Sequence, residues 1–214
     1  MITPLQQAKA IYDASAHHGL DTDSQVCFYE QEFYPLSNFS SFMLAWKERM
    51  FQTVEHAYHW ESFATCAVHT ESGIYIRDHV MEAASAHEAL KRAQWWRAYR
   101  RKDWDDVKVD VMRALLRAKA TQHEYVRRKL LETGERLLIE NSWRDSFWGW
   151  GPNRDGQNML GKLWMEVREE FSEARTANYP LFAHMSNEHK LTLTESELDE
   201  ICNVVARMRG QSHA

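Results

Sequence analysis

Cysteine and proline are scarce in this chain, and long apolar runs are missing. Three cysteines, Cys27, Cys66 and Cys202, are odd in number, widely spaced and without a CxxC pair, which argues against both a disulfide framework and a zinc knuckle and fits a reducing, cytoplasmic setting. No segment approaches the roughly 18 apolar residues of a membrane span, and the amino terminus, MITPLQQAKA, has no basic region followed by an apolar run, so neither a membrane partner nor secretion is expected. A broad positive face is lacking too. The 26 Lys and Arg against 31 Asp and Glu leave a formal charge of −5, which argues against a continuous electrostatic track for nucleic acid and leaves an anionic ligand to find a local basic cluster. There is no internal repeat, low-complexity tract or long linker.

Aromatic residues are plentiful by contrast. Nine Trp, eight Tyr and nine Phe gather around Trp95–Trp104 and Trp143–Trp164, and rings both build cores and stack on bases. At 214 residues the chain suffices for one sizeable domain, or a core domain with small terminal additions. Residues 4–18 read as a short amphipathic helix with Gly19 past its end. The stretch VCFYEQEFYPLSNFSSFMLAW predicts brief strands, a turn-rich loop and a small hairpin. Thr53 offers a cap for a helix over Val54–Ala64, and from Met81 to about Leu131 successive helical patterns run without a proline, with Val107, Val111, Ala114, Leu115 and Ala118 as a buried stripe. Four of the eight glycines fall between Gly149 and Gly161, before a helix that begins near Asn158. A Thr194/Glu197 capping box starts a last apolar-striped helix. The fold class expected is mainly α, a compact helical domain with a small β-hairpin element.

Three stretches could carry chemistry. In QTVEHAYHWESF, residues Gln52–Phe63, a helical wheel puts Val54, Ala57, Trp60 and Ala64 on one arc and Glu55, His59 and Ser62 on the other, with His56 elsewhere. A metal could use Glu55 with His59, but this is not HExxH and no third ligand appears, so a solvated helix face is the plainer reading and no metal is expected. WGWGPNRDGQNMLGKL could cradle phosphate on backbone N–H groups, although it is neither GxGxxG nor GxxxxGK[ST] and glycines before a helix more often serve a turn. KRAQWWRAYRRKDW interleaves Arg97, Arg100, Arg101 and Lys102 with Trp95, Trp96, Tyr99 and Trp104, which suits phosphate and a stacked base; its plain alternative is a helix with one packed and one solvated side.

Taken together these stretches resemble the NADAR (YbiA-like) family. The resemblance is carried by LSNFS at Leu36–Ser40, TVEHAYHWESF at Thr53–Phe63, DWDDVKVDVMRALLRAKATQH at Asp103–His123 and LIENSWRDSFWGWGPNRDGQNMLGKLWMEVRE from Leu138. Where the family often reads EHYFQAxKF, this chain has His59, Trp60 and Ser62 in place of Gln, Ala and Lys. The resemblance covers roughly Phe28 to Phe171 and implies a catalytic domain over 27–171, and the helical patterns outside it leave an N-terminal helical extension over 1–26 and a C-terminal extension with one helix over 172–214. It implies an N-glycosidase that needs no cofactor, acting on a small-molecule or nucleobase-linked ribosyl substrate. ADP-ribosylated guanine, with modified nucleic acid as its possible source, is favoured by the surplus of aromatic and basic residues, and a phosphoribosylamino-pyrimidine of riboflavin biosynthesis is the alternative.

Cleaving a C1′–N bond builds positive charge on the ribose, and a carboxylate stabilises it or takes a proton from water. Glu55 is the candidate for that role. Asp145 is the candidate for helping the base leave, with a helix-starting cap as its plain alternative and Glu140 in reserve. Asn38 and Phe39 from the SNF loop, His56, Trp104 as a stacking ring, Trp148 and Gly149 as pocket wall, Asn158 as an orienting group, and Arg101 and Lys102 for phosphate complete the expected substrate contacts. A non-catalytic reader of ADP-ribose or nucleotide, and a metal-dependent hydrolase on Glu55, His56 and His59, are the other function classes.

Overall fold

A computed structural model describes residues 20–29, 31–64 and 66–177. The helix expected over 4–18 and the capped helix after Thr194 lie outside these residues.

Helices dominate the described residues, as expected: α1 (Val54–Ser62), α2 (Ile76–Met81), α3 (Ala86–Trp95), α4 (Trp104–Gln122), α5 (Glu124–Glu132) and α6 (Met159–Ala177), with 3-10 turns at Gln31–Leu36 and Arg97–Tyr99. The strands are short. β1 (Gln25–Cys27) pairs in parallel with β4 (Leu137–Ile139), Val26 opposite Leu138, and β2 (Leu44–Trp46) forms an antiparallel hairpin with β3 (Arg49–Phe51). The hairpin therefore only begins at the far end of the stretch in which it was expected, its turn and second strand lying beyond Trp46, and β1 takes its partner from a segment more than a hundred residues away. The hairpin turn holds Lys47 and Glu48 at φ 47° and 64°, the left-handed pair that a two-residue turn requires and that Asn-Gly would normally supply. Tertiary contacts compensate: buried Glu61 accepts hydrogen bonds from Trp46 Nε1 at 2.5 Å and Lys47 Nζ at 3.0 Å.

α1 is the hub of the fold, packed by α2 and α3 and also by α4. Thr53 caps it, its hydroxyl accepting from the His56 N–H. All nine of its residues are buried, so the solvated face expected for Glu55, His59 and Ser62 is absent: a central helix is covered on every side, and its polar residues face protein. On α4 the enclosed residues are Trp104, Met112, Leu115, Leu116, Lys119 and Ala120. Only Leu115 of the expected stripe is among them; Val107, Val111 and Ala118 are partly buried against the same core.

The main core joins Val26, Phe28, Leu36, Phe51 and Val54 to Leu115, Leu116, Leu138, Leu163 and Trp164. A smaller cluster of Phe63, Ile76, Val80, Ala83, Ala89 and Ala93 lies beneath α2 and α3. α6 meets β4 so closely that a Cβ on Gly161 would fall 1.9 Å from the Leu138 carbonyl oxygen. Among the described residues no helix is long and apolar enough to cross a membrane.

Candidate active site

The site is assembled around the first turn of α1. The Glu55 N–H donates to the Asn38 carbonyl at 3.2 Å, fastening the SNF loop to the helix. The Glu55 side chain points along α1 to His59, whose Nε2 lies 2.8 Å from Oε1, and both side chains are nearly enclosed. His59 Nδ1 is buried without a partner. His56 is occupied differently: its Nδ1 meets the Thr53 hydroxyl at 2.8 Å and its Nε2 the Ala83 carbonyl at 3.1 Å, and burial lowers its pKa. With both nitrogens engaged inside the protein, His56 serves the helix start and not an open pocket.

A second carboxylate arrives from β4. Asn158, itself at φ 51°, holds the strand exit with both ends of its amide, Oδ1 accepting from the Glu140 N–H at 2.9 Å and Nδ2 donating to the Leu138 carbonyl at 2.8 Å. The Glu140 carbonyl accepts from the N–H groups of Ser142 and Trp150. Gly149 packs against the same carbonyl, where a Cβ would stand 2.8 Å from the oxygen. The glycine-rich segment thus fixes the backbone of Glu140. The Glu140 side chain is buried and its Oε2 has no partner. Burial first, then the negative charges of Glu55 and Asp145, push its pKa up to about 8, and Lys119 opposes them.

Asp145 is half-buried and turned to its own loop, Oδ1 accepting from the N–H groups of Phe147 and Trp148 at 2.8 Å each. That is an Asx turn, which aims the Trp148 ring. Trp148 stands edge-on to Tyr58 at 5.6 Å. Tyr58 in turn packs on Trp104 at 4.9 Å. Burial and then the charge of Glu55 raise the Tyr58 pKa, so the ring borders the carboxylates. Trp104 is buried within the main core. Asn38 donates to Met112 Sδ at 3.5 Å while its Oδ1 is buried and unpartnered. Phe39 lies on the outer side of the loop, lining a cleft of about 250 Å³ with Thr53, Ser85 and His87.

The basic segment is divided. Arg101 grips Asp103 with two hydrogen bonds at 2.6 and 2.7 Å, and Lys102 is exposed. Arg100 is the cation that turns inward: its Nε is buried without a partner and its charge reaches Tyr58. Glu55, Glu140, Asp145, Asn38 and Trp148 are therefore brought together with Gly149 and Asn158 behind them, whereas His56, Arg101 and Lys102 are engaged elsewhere or exposed. Among the described residues no three His, Cys, Asp or Glu side chains come together to hold a metal ion.

The NADAR domain family matches residues 27–172. The chain belongs to the NADAR family. It is 38% identical over 147 residues to the N-glycosidase Npun_R5314 of Nostoc punctiforme, a match covering 68% of this chain and 91% of that protein. Its identity to the riboflavin biosynthesis protein VVA0006 of Vibrio vulnificus is 30% over 162 residues, 75% of this chain but 42% of the relative. The NMR structure of the Escherichia coli protein YbiA superposes with a TM-score of 0.62 at 28% identity, over 79% of this chain and 94% of that one. Like its N-glycosidase relatives, this NADAR protein is an enzyme, a hydrolase of N-glycosidic bonds.

The site of this NADAR domain contains two residues, Tyr58 and Lys119, that the sequence did not single out, and it draws on Arg100, which the sequence offered for phosphate only as one member of the Arg97–Lys102 cluster. Tyr58 carries no local signal, since a tyrosine in a helix is ordinary. Lys119 had one: it sits in the row Met112, Leu115, Leu116, Lys119, Ala120, where every other enclosed member is apolar.

Proposed function

We propose that Glu55 and Glu140 divide the work of hydrolysing the C1′–N bond of a phosphorylated ribosyl heterocycle. The observation that carries this reading is the buried Glu140 side chain, with Oε2 unpartnered and its pKa raised to about 8 beside a second carboxylate. A carboxyl group that retains its proton at neutral pH is a proton donor, and a neighbouring carboxylate helps to hold that proton on. In the step proposed, the C1′–N bond breaks, its electron pair goes to the base nitrogen, and that nitrogen takes the Glu140 proton. Glu55 faces the cationic ribose and receives a proton from the water that attacks C1′, with His59 holding Oε1. Asp145 contributes fixed negative charge, its Oδ1 being committed to the turn. Tyr58 and Trp148 wall the pocket, and Asn38 Oδ1 is an acceptor for a ribose hydroxyl or an N–H of the base.

For the substrate, ADP-ribosylated guanine rested on the surplus of rings and cations between Trp95 and Trp104. Two of those residues are occupied: Trp104 in the core and Arg101 with Asp103. Arg100, the cation whose charge reaches Tyr58, suits one phosphate. The riboflavin name of the Vibrio relative supports the same side. A phosphoribosylamino-pyrimidine is accordingly the substrate we favour. ADP-ribosylated guanine is the second reading, supported by exposed Trp95 and Tyr99 beside Arg97, on which the far half of the ligand would lie. Both are to be offered at equal concentration and the released base measured by mass spectrometry. A kcat/KM about tenfold higher for the pyrimidine, or 1.4 kcal/mol of transition-state preference, is expected, and the opposite ratio would reverse the assignment. Base release from neither substrate by wild-type protein, with tight binding of either, would instead mark a reader.

A further inference from the structure

His59 is engaged at one end and empty at the other. Its Nε2 lies 2.8 Å from Oε1 of Glu55, one helical turn earlier on α1, while its Nδ1 is buried with no hydrogen-bond partner. The residue is only 4% exposed, and Tyr58 packs edge-on against its ring at 5.2 Å. His56, on the same helix, has both ring nitrogens matched inside the protein. The fold can therefore satisfy a buried imidazole, and His59 is the exception. An ionised carboxylate only accepts, so the nitrogen facing Glu55 carries the hydrogen and Nδ1 of the neutral ring is a bare acceptor. A second proton, on Nδ1, would make a buried cation with an unmatched N–H, the costlier arrangement, and would cancel the negative charge that Glu55 presents to the ribose.

The departure from the family pattern at this position points the same way. Gln, which the family often has where this chain has His59, also gives an N–H at one end and keeps an acceptor, its carbonyl oxygen, at the other. Donor towards the carboxylate and acceptor to spare are what the two side chains share. We infer that His59 is a specificity-determining residue for the hydrolysis, its Nδ1 accepting from the 2′-hydroxyl of the substrate ribose while its Nε2 holds Glu55. The inference rests on Glu55 facing C1′, as proposed above. C2′ is bonded to C1′, so its hydroxyl is the sugar donor nearest the bond that breaks, and Nδ1 shares one five-membered ring with the nitrogen that touches Glu55. Hydrogen bonds to that hydroxyl strengthen as an oxocarbenium-like transition state forms. A ribosyl substrate is thereby preferred over its 2′-deoxy counterpart.

The test compares base release from the phosphoribosylamino-pyrimidine and from its 2′-deoxyribosyl counterpart by the full chain in wild type, His59→Gln and His59→Leu. A deoxy sugar forms a cation more readily, and a loosened Glu55 slows both substrates, but each effect cancels when the ribosyl-to-deoxyribosyl ratio of kcat/KM is compared between proteins. That ratio should fall by about tenfold or more in His59→Leu and stay within about threefold of wild type in His59→Gln. An unchanged ratio in His59→Leu overturns the inference, because a packing role would slow both substrates alike. If His59→Leu does not fold, the nitrogen-15 NMR spectrum of wild type decides, with His59→Gln serving for assignment. At about pH 8, above the ordinary imidazole range, the ligand-free ring should carry hydrogen on Nε2 alone, and the Nδ1 resonance should move when the ribosyl substrate binds. Hydrogen on Nδ1, or an Nδ1 resonance that stays put, overturns the inference equally. Failure of the hydrolysis itself looks different: wild type then binds the two substrates and releases base from neither, and the same ratio taken from dissociation constants settles the role of His59 by the same criterion.

Discussion

The carboxylate floor of the site and the aromatic–basic segment at Trp95–Asp103 meet at Tyr58, yet they satisfy their polar groups in opposite ways. On the floor, Asn38 Oδ1, His59 Nδ1 and Glu140 Oε2 are buried without hydrogen-bond partners. In the segment, Arg101 has a bidentate partner in Asp103 and Trp95 is 80% exposed, and the one buried atom left unmatched there is Nε of the inward-turning Arg100. Leaving a buried polar atom unmatched costs about 1–3 kcal/mol, while an exposed ion pair contributes little either way. Three unmatched atoms on the floor are a standing cost that a packed core would have removed, and under the proposed function a polar substrate would recover it. The difference teaches where the proposed chemistry concentrates its cost: three of the five unmatched buried atoms among the described residues belong to the floor.

The sharpest way to break the comparison is to neutralise the floor. Glu55→Gln keeps the shape of the side chain and removes its charge, and should lower kcat by about 10²–10⁴-fold with folding intact, the range of lost acid–base help. Turnover within a few-fold of wild type, measured by base release, would take Glu55 out of the mechanism. Next in size is the residue at the junction. Trp104→Ala should cost about 3–5 kcal/mol of folding stability because the ring is core, packed on Tyr58. A melting curve beside a binding titration decides it: loss of base affinity with an unchanged melt would return Trp104 to a stacking role.

How much of this could be read from the sequence depended on distance along the chain. The start of α1 was legible because Thr53 and the following periodicity are local. The burial of its polar face was not, since α2, α3 and α4 cover it from segments the wheel cannot see. The glycine-rich segment announced a close approach, but the object approached, the Glu140 backbone held by Asn158, lies up to 18 residues away. The hairpin was expected, but its position was misjudged because its Lys47–Glu48 turn has no glycine or asparagine and is held instead through Glu61. Lys119 was visible as a charge in an apolar row and was passed over because a lysine is ordinarily solvated.

A smaller effect should appear in the pH dependence of stability. Glu140 has a folded pKa of about 8, raised from 4.5. A raised carboxyl pKa gives stability that is complete below the unfolded value and is lost as pH rises through the folded one, here between about pH 4.5 and pH 8. Lys119 runs the other way. Its folded pKa is lowered to about 7 from 10.5, so its share is complete above the unfolded value and is lost as pH falls from 10.5 towards 7. Both contributions are thus depleted near pH 7–8. Glu140→Gln cannot ionise, so relative to wild type it should gain stability between pH 5 and pH 8, by about 1 kcal/mol or more, or roughly 2–4 °C in Tm at this chain length. A constant difference in Tm between the two proteins across that range would show that Glu140 does not titrate as its surroundings imply.

The smallest effect is expected at the rim, where the comparison is sharpened by a near absence of change. Arg101→Ala removes a bidentate hold on Asp103 at the entrance to α4, but the Arg101 backbone N–H still donates to the Ser62 carbonyl at 2.9 Å, and that bond does not depend on the side chain. The pair is solvated on the Asp103 side, which is half exposed, so its loss should cost no more than about 0.5–1 kcal/mol of stability and fade further in high salt. Lys102→Ala, an exposed side chain, should cost less. Neither should change kcat, because neither side chain is directed at the Glu55–Glu140 floor. KM is the discriminating quantity. If either variant raises KM for ADP-ribosylated guanine by tenfold or more while leaving the phosphoribosylamino-pyrimidine unaffected, the rim binds the distal phosphate of the larger substrate, and the division between a chemical floor and a self-satisfied edge no longer holds. Equal and near-normal KM values for both substrates would place phosphate recognition on the inward-facing Arg100 instead.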